Sequence, residues 1–125
     1  EKIAAQCQTE NRVQSVLLQV NVSGETAKFG MEPGELEKQM VAFSRLKGIQ
    51  VEGLMTIPPY HPNPENSRRH FSRLRGFRDQ CEKQNRLSLH KLSMGMTNDF
   101  EVAVEEGATL VRVGTAIFGP RPKDN

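Results

Sequence analysis

The sequence predicts an α/β protein in which strands and helices alternate along the chain. Three observations indicate this class: four short β-rich apolar runs, amphipathic helical segments between them, and no repeat or linker within 125 residues. Helical connections between successive strands favour parallel pairing in right-handed βαβ units. Four such strands make either a small open sheet or half of a closed (β/α)8 barrel, and periodicity alone does not decide between them.

The amino-terminal half is predicted to contain two strands with their helices. Residues Glu1–Gln8 look like the tail of a helix without an N-cap or an initiator methionine, which we interpret as a sign of a fragment or a processed chain. The first strand is Ser15–Val22, whose first part is almost wholly apolar, as expected for a strand buried on both faces. A helix with Pro33 in its first turn ends at Gly48, and the second strand is Ile49–Ile57.

The carboxy-terminal half is predicted to repeat this alternation. Asn63 is a plausible N-cap for a long helix, with Pro64 at the first helical position. The apolar stripe of this helix consists of Phe71, Leu74, Phe77 and Cys81. The remaining elements are a strand Leu89–Met94, a helix from Thr97 to Gly107, a strand Thr109–Thr115 and a turn at Ala116–Gly119.

The composition argues against several classes of function. Seventeen basic and fifteen acidic residues give a net charge of +2, and the five arginines between residues 68 and 78 favour a solvated helix face over a nucleic-acid surface. No apolar run approaches the roughly 20 residues that span a bilayer, so no membrane partner is expected. Cys7 and Cys81 favour buried, reduced thiols in a cytoplasmic protein. The three histidines are scattered without ligand spacing, and we expect no metal site.

Two successive strand ends carry the residues that suggest a binding site. The segments Leu92–Thr97 and Val111–Gly119 each end a strand in small and hydroxyl-bearing residues where a helix is about to begin. Main-chain N–H groups and hydroxyls at such positions bind phosphate, and glycines at 95 and 114 would let an anion approach the backbone. Taken alone, Thr97 could merely cap its helix and Gly114 merely turn the chain. Two such ends in consecutive βα units favour an anion site.

Arg112 lies inside an otherwise apolar strand, and two explanations remain open for it. A buried guanidinium needs partners, since an unpaired buried charge costs several kcal/mol. Structurally, Arg112 could pair with Glu52, Asn21 or another strand residue. Functionally, it could point into a barrel and donate to a ring nitrogen, which would then remain an unprotonated acceptor.

Several motifs in register resemble those of the pyridoxal phosphate homeostasis protein family. The similarity runs in order from about Val16 to Arg121, which makes it more specific than any single glycine pattern. The motifs are Gln19–Glu25 with Lys28-Phe29-Gly30, Gly53–Pro58, Leu92–Phe100 and Val111–Gly119.

The resemblance implies an α/β fold, the carboxy-terminal half of a (β/α)8 TIM barrel similar to the alanine racemase N-terminal domain, formed by residues 1–125 as a single segment. It implies pyridoxal 5′-phosphate (PLP) as the cofactor and a cytoplasmic role in vitamin B6 homeostasis, buffering or delivering PLP rather than clearly turning over a substrate. By resemblance, the phosphate would be held by Ser93, Thr97, Gly114 and Thr115, the pyridine nitrogen would face Arg112, and the ring pocket would be lined by Asn21 and Met55.

The chain departs from the family in lacking the lysine that binds the cofactor covalently, which belongs to an earlier strand. Lys28, Lys91 and Lys123 do not match that motif, so covalent binding by this chain alone is not expected. Two alternatives remain open, a racemase-like enzyme and a half-barrel fragment without a ligand. A half-barrel has two free strand edges, and we therefore expect a missing amino-terminal half or a second copy of the chain as its partner.

Overall fold

The computed structural model describes residues 1–25 and 29–122, and it contains the predicted alternation of strands and helices. Within those ranges, no helix combines the length and the apolar character needed to cross a bilayer. The elements are α1 (Lys2–Thr9), β1 (Gln14–Gln19), α2 (Pro33–Ser44), β2 (Ile49–Met55), a 3-10 turn (Pro64–Ser67), α3 (Arg68–Asn85), β3 (Lys91–Met96), α4 (Phe100–Glu105), β4 (Leu110–Arg112) and α5 (Thr115–Phe118).

The four strands form one parallel sheet in the order β1-β2-β3-β4. Sequential order with parallel pairing is the arrangement of consecutive strands in a (β/α)8 barrel, in which each strand lies beside the next one along the chain. Leu54 pairs with Leu92 in register, and both are fully buried. Because side chains alternate along a strand, their neighbours Met55 and Ser93 lie on the opposite face, away from this core.

The core lies between one face of the sheet and helices α2, α3 and α4. The predicted stripe of α3 is confirmed, since Phe71, Leu74, Phe77 and Cys81 are all buried. Side chains three or four positions apart share one face of a helix, so this spacing turns a continuous apolar strip toward the sheet. Burying each large apolar side chain contributes about 1.5–3 kcal/mol, which makes this strip the main attachment of α3.

An irregularity in β2 coincides with its glycine. Val16 pairs with Val51 and Leu17 pairs with Gly53, so Glu52 is the extra residue of a bulge. A Cβ atom at position 53 would lie 1.8 Å from the carbonyl oxygen of Lys91 on the neighbouring strand. Only glycine allows this close approach.

The first and third strands are shorter or shifted relative to the predicted runs. β1 ends at Gln19 rather than Val22, although the Val20 N–H still donates to the Met55 carbonyl and Val20 bridges to Met31. β3 begins at Lys91 rather than Leu89 because the Leu89 N–H donates to the Glu82 carboxylate of α3, at 2.6 Å, instead of to a neighbouring strand.

β4 contains three residues instead of the predicted seven. Gly114 has φ −104° and ψ −72°, which turns the chain out of the sheet and into α5. Its carbonyl then accepts the N–H groups of Ile117 and Phe118. At the other end, the Thr109 hydroxyl accepts the Leu92 N–H at 2.8 Å and so takes the place of a ladder bond.

The predicted cap at Asn63 is confirmed, but the helix opens more tightly than expected. The Asn63 side-chain oxygen accepts the N–H of Glu65 at 3.0 Å, with Pro64 in the first position. The first four residues form the 3-10 turn, and the α-helix begins only at Arg68.

Candidate functional site

A large cleft of about 690 Å³ opens at the carboxyl ends of β2, β3 and β4. It is lined by three loops, within residues 57–60, 95–99 and 112–121. In sheets built from βαβ units, ligands bind at the carboxyl ends of the strands, where loops converge. The cleft therefore lies where this architecture places ligands.

The two hydroxyl-bearing strand ends meet in this cleft. The Thr115 hydroxyl donates to the Thr97 hydroxyl oxygen at 3.0 Å, and the Ala116 N–H reaches the same oxygen at 3.3 Å. Since the Thr97 oxygen accepts both bonds, its own proton remains available to a ligand. A Cβ atom placed at Gly114 would have no neighbour within 4 Å, so the backbone there borders open space that an anion can enter.

The two glycines proposed for close anion approach have different roles in the structure. Gly95 has φ +94°, and a Cβ atom there would lie 2.6 Å from the Ala103 Cβ and 3.0 Å from the Phe100 Cα. Packing of α4 against the end of β3 is therefore sufficient to require glycine at 95. Both glycines line the cleft, but Gly114 has no such packing demand.

Arg112 is held inside the site by two bonds across the sheet. Its Nη1 donates to the Ser93 hydroxyl at 2.6 Å, and its Nη2 donates to the Thr56 carbonyl at 2.9 Å. Burial lowers the pKa of the guanidinium, and the carboxylate of Asp99 opposes this effect. The partner is thus another strand residue, not Glu52 or Asn21. Arg112 also lines the cleft, and its guanidinium has further N–H groups that could donate to a ligand. Its role at a ring nitrogen stays a prediction.

Three other predicted site residues lie outside the cleft lining. Ser93 is 5% exposed, and its oxygen accepts from Arg112. Met55 pairs with Ser93 on the same face of the sheet. Asn21 is buried and organises its own loop, since its amide donates to the Glu25 carbonyl at 2.8 Å and its oxygen accepts from Ser23 at 2.9 Å. Their cofactor contacts stay predictions.

Two residues that shape the site were missing from the predicted set. Thr56 provides the carbonyl that fixes Arg112, and its hydroxyl donates to the Val20 carbonyl at 2.8 Å. Asp99 accepts the Met96 N–H at 2.8 Å and so closes the loop after β3. Thr56 had a signal in the sequence, because it is a third hydroxyl at a strand end. The Asp99 contact depends on the loop conformation, which spacing does not reveal.

The described lysine on the sheet is already engaged. The Lys91 amine binds the Glu52 carboxylate, which also accepts the Ser15 hydroxyl at 2.8 Å. These bonds from Lys91 and Ser15 hold the pKa of Glu52 below its usual value. Lys28 and Lys123 lie outside the described residues.

The arginine-rich helix α3 directs most of its charges toward carboxylates or main-chain carbonyls. Arg68 pairs with Glu65, Glu105 and Glu106, which ties the start of α3 to the end of α4. Other pairs and bonds join Arg75 to Glu106, Arg78 to Asp79 and Arg73 to the Val22 carbonyl. This pattern is that of helix-to-helix attachment.

Neither cysteine is arranged as a nucleophile. Cys7 and Cys81 are free and buried, and burial raises the pKa of the Cys81 thiol to about 11. Across residues 1–25 and 29–122, no group of three histidine, cysteine, aspartate or glutamate side chains is placed to hold a metal ion.

Comparison with known proteins gives both family and curated matches. Residues 1–122 match the family described as alanine racemase, N-terminal domain. The chain is 51% identical over 111 residues to the pyridoxal phosphate homeostasis protein of Aquifex aeolicus (strain VF5), covering 89% of this chain and 49% of the relative. It is 40% identical over 130 residues to the protein of that name from Vibrio cholerae serotype O1, covering 97% and 52%. The chain thus spans about half the length of the curated relatives it matches.

Solved structures agree with this similarity. PipY of Synechococcus elongatus PCC7942, solved with PLP bound, superposes with a TM-score of 0.83 at 33% identity, covering 93% of this chain and 54% of that one. Alanine racemase of Clostridium difficile 630 in complex with cycloserine, at 15% identity and a TM-score of 0.73, shares the fold alone and covers 98% of this chain and 34% of that one. The predicted fold class and the predicted family resemblance are confirmed.

Proposed function

The chain belongs to the alanine racemase N-terminal domain family, and from this premise we propose that it binds PLP in the cleft at the carboxyl ends of β2, β3 and β4. We further propose a cytoplasmic role in vitamin B6 homeostasis, which is what the names of its curated relatives describe. A protein in this role holds the cofactor and releases it, so the site must recognise PLP without having to transform it.

The observation that carries the proposal is the pair of hydroxyls contributed by two loops. Thr97 and Thr115 lie 3.0 Å apart, oxygen to oxygen, beside the open backbone at Gly114. A phosphate group needs several small donors converging on one point, and hydroxyls beside glycine meet that need. The residues proposed to hold the phosphate directly are Thr97, Gly114 and Thr115. Ser93, predicted for the same role, would instead orient Arg112, whose guanidinium donates to the Ser93 hydroxyl.

Arg112 would set the character of the ring site. PLP supplies a pyridine ring that can act as an electron sink when its nitrogen is protonated. Arginine stays protonated and can only donate, so a ring nitrogen facing Arg112 would accept a hydrogen bond and remain unprotonated. The ring is then a poorer sink, which favours holding the cofactor over amino-acid racemisation and supports a role other than that of an enzyme. Asn21 and Met55 would contribute to the wall around the ring.

We also propose that residues 1–125 act as one segment, the carboxy-terminal half of a barrel, beside an amino-terminal half or a second copy of the chain. Within the described residues, β2 is the one strand beside β1 and β3 the one strand beside β4, so each has an edge without a partner strand. On β1 the bridge to Met31 covers the end of that edge, where the Gln19 carbonyl accepts the Met31 N–H. Closing the barrel would pair both edges and cover the face that carries Met55 and Ser93.

A titration with PLP tests the binding proposal. Wild-type protein should change the absorbance of PLP in a saturable way, and inorganic phosphate should compete. Thr97→Val keeps the size of the side chain but removes the donor. Affinity should fall about ten- to a hundredfold, since a hydrogen bond to a charged group contributes about 1.5–3 kcal/mol. Thr9→Val, at the exposed end of α1, is the matched control and should bind normally. Equal affinity of the Thr97 variant and wild type would refute the phosphate site.

Borohydride reduction followed by mass spectrometry distinguishes the competing functions. Because Lys91 is paired with Glu52, we expect no cofactor mass to become attached to it. A trapped lysine together with racemisation of alanine would support the racemase-like alternative. The absence of any spectral change on adding PLP would support the fragment without a ligand.

A further inference from the structure

Tyr60 lies on the rim of the cleft in an unusual environment for an aromatic side chain. It is 78% exposed, and it lines both the large cleft and a smaller cavity of about 140 Å³. Ile57 and Phe118 also line the large cleft and are 47% and 86% exposed. Single exposed apolar side chains are ordinary, but three of them around one cleft that also contains Thr97, Thr115 and Arg112 indicate a ligand with an apolar part.

The loop that carries Tyr60 is fixed at the next residue along the chain. The Asn98 amide, from the loop after β3, donates to the His61 carbonyl at 2.9 Å. The His61 ring accepts the N–H of Asn63 at 3.0 Å, and Asn63 in turn caps the 3-10 turn through Glu65. The loop after β2 is therefore attached both to its own helix start and to the neighbouring loop.

Arg112 extends from β4 toward the start of the loop that carries Tyr60. From β4, its guanidinium reaches Ser93 on β3 and the Thr56 carbonyl at the end of β2. A ligand anchored by its phosphate at Thr97 and Thr115, with a ring over Arg112, would extend toward the loop that follows Thr56. That loop carries Tyr60.

We propose that Tyr60 covers the aromatic ring of the ligand, and that Asn98 is a positioning residue that holds the Tyr60 loop in place. This inference rests on the proposed function and extends it. It assigns recognition of the ring to the loop after β2, whereas the phosphate is recognised by Thr97, Gly114 and Thr115. Stacked aromatic rings change affinity by roughly three- to tenfold, so Tyr60 would favour ring-bearing phosphates over inorganic phosphate.

The test compares two ligands that differ in the ring. Pyridoxine 5′-phosphate has the ring and phosphate but no aldehyde, so no lysine chemistry intervenes, and inorganic phosphate has no ring. Tyr60→Ala should weaken pyridoxine 5′-phosphate three- to tenfold while leaving phosphate affinity within twofold of wild type. Tyr60→Phe should retain both affinities because it keeps the ring. Phe29→Ala removes an 86% exposed aromatic that does not line the cleft, and it should change neither affinity.

Asn98→Ala should weaken only the ring-bearing ligand, by about two- to fivefold, and should add no further loss to the Tyr60→Ala variant. Additive losses, or an equal loss of inorganic phosphate affinity, would overturn the positioning role of Asn98. If Tyr60→Ala binds pyridoxine 5′-phosphate as tightly as wild type and inorganic phosphate still competes, the role of Tyr60 is refuted and the proposed function stays intact. Failure of the wild type to bind either ligand would refute both.

Discussion

At the scale of single residues, Arg112 connects stability with the ligand recognition proposed above. Its bonds to Ser93 and Thr56 satisfy two groups that are nearly inaccessible to water, the Ser93 hydroxyl and the Thr56 carbonyl. Burial lowers the pKa of the guanidinium, which shows that the charge is held against a desolvation penalty. The balance of these two effects can be measured by removing the charge.

Replacing Arg112 with methionine should destabilise the protein by about 1 kcal/mol. Leaving buried polar groups unpaired costs about 1–3 kcal/mol, and relief of the desolvation penalty offsets part of this loss. Urea unfolding followed by circular dichroism measures the difference, with Arg121→Met, at the exposed rim of the cleft, expected to stay within about 0.5 kcal/mol of wild type. A more stable Arg112→Met protein would mean that the guanidinium is retained for ligand binding against stability.

The lowered pKa of Glu52 predicts that the stability of the fold depends on pH. Bonds from Lys91 and Ser15 hold its pKa below the usual value of 4.5, so the folded state favours the ionised form. This stabilisation is present above pH 4.5 and is lost as the pH falls through the lower pKa of the folded state. Glu52→Gln and Lys91→Met should therefore both lose less stability than wild type between pH 5 and pH 3, measured by urea unfolding at each pH. A wild-type acid slope in both variants would contradict this explanation.

The residues of the site were only partly predictable from the sequence. The proximity of Thr97 and Thr115 could be predicted because parallel strands place their carboxyl ends at one edge, which brings consecutive strand ends together. The partners of Arg112 could not be identified, because they depend on the stagger of β3 and β4, where the register shifts between Ser93 and Met96. Tyr60 gave no signal, because the path of its loop is set by the long-range bond from Asn98.

At the scale of elements, two glycines differ in whether the fold has room for a Cβ atom. Gly53→Ala should destabilise β2 by about 3 kcal/mol or more, because its Cβ would lie 1.8 Å from the Lys91 carbonyl oxygen and neither strand can move without breaking the ladder. Gly76→Ala is the matched control, because a Cβ there meets nothing within 4 Å in the middle of α3. That change should stabilise the protein by about 0.5–1 kcal/mol. Thermal unfolding of both variants checks the contrast, which fails if the two melting temperatures shift in the same direction.

The type of each element was predictable, whereas the ends of the strands were not. Apolar periodicity placed the stripe of α3 correctly because burial of that stripe is what attaches the helix. A side chain sets the start of β3, because Glu82 accepts the Leu89 N–H in place of a neighbouring strand. A turn sets the end of β4, because the chain leaves the sheet at Gly114. Such contacts join residues whose proximity is created by the fold.

At the scale of the whole molecule, the unpaired edges of the sheet predict self-association. On β4, Leu110 and Val111 are 44% and 39% exposed, beside backbone groups that have no partner strand on that side within the described chain. Sedimentation of the isolated 125-residue chain should show species heavier than the 14.1 kDa monomer. Val111→Lys places a charge on this edge and should shift the distribution toward the monomer. A wild-type chain that stays monomeric at every concentration would contradict the prediction.

The hydrogen bond between Thr97 and Thr115 affects how fast a ligand could enter the cleft. The two loops are already joined before any phosphate arrives, because Thr97 accepts from both Thr115 and Ala116. The conformational entropy of these loops is therefore lost when the protein folds and not when a ligand binds. If the chain binds PLP as proposed, association should then proceed without a slow rearrangement of the backbone. Exchange of the ligand would depend on the strength of its contacts, including the contact proposed for Tyr60.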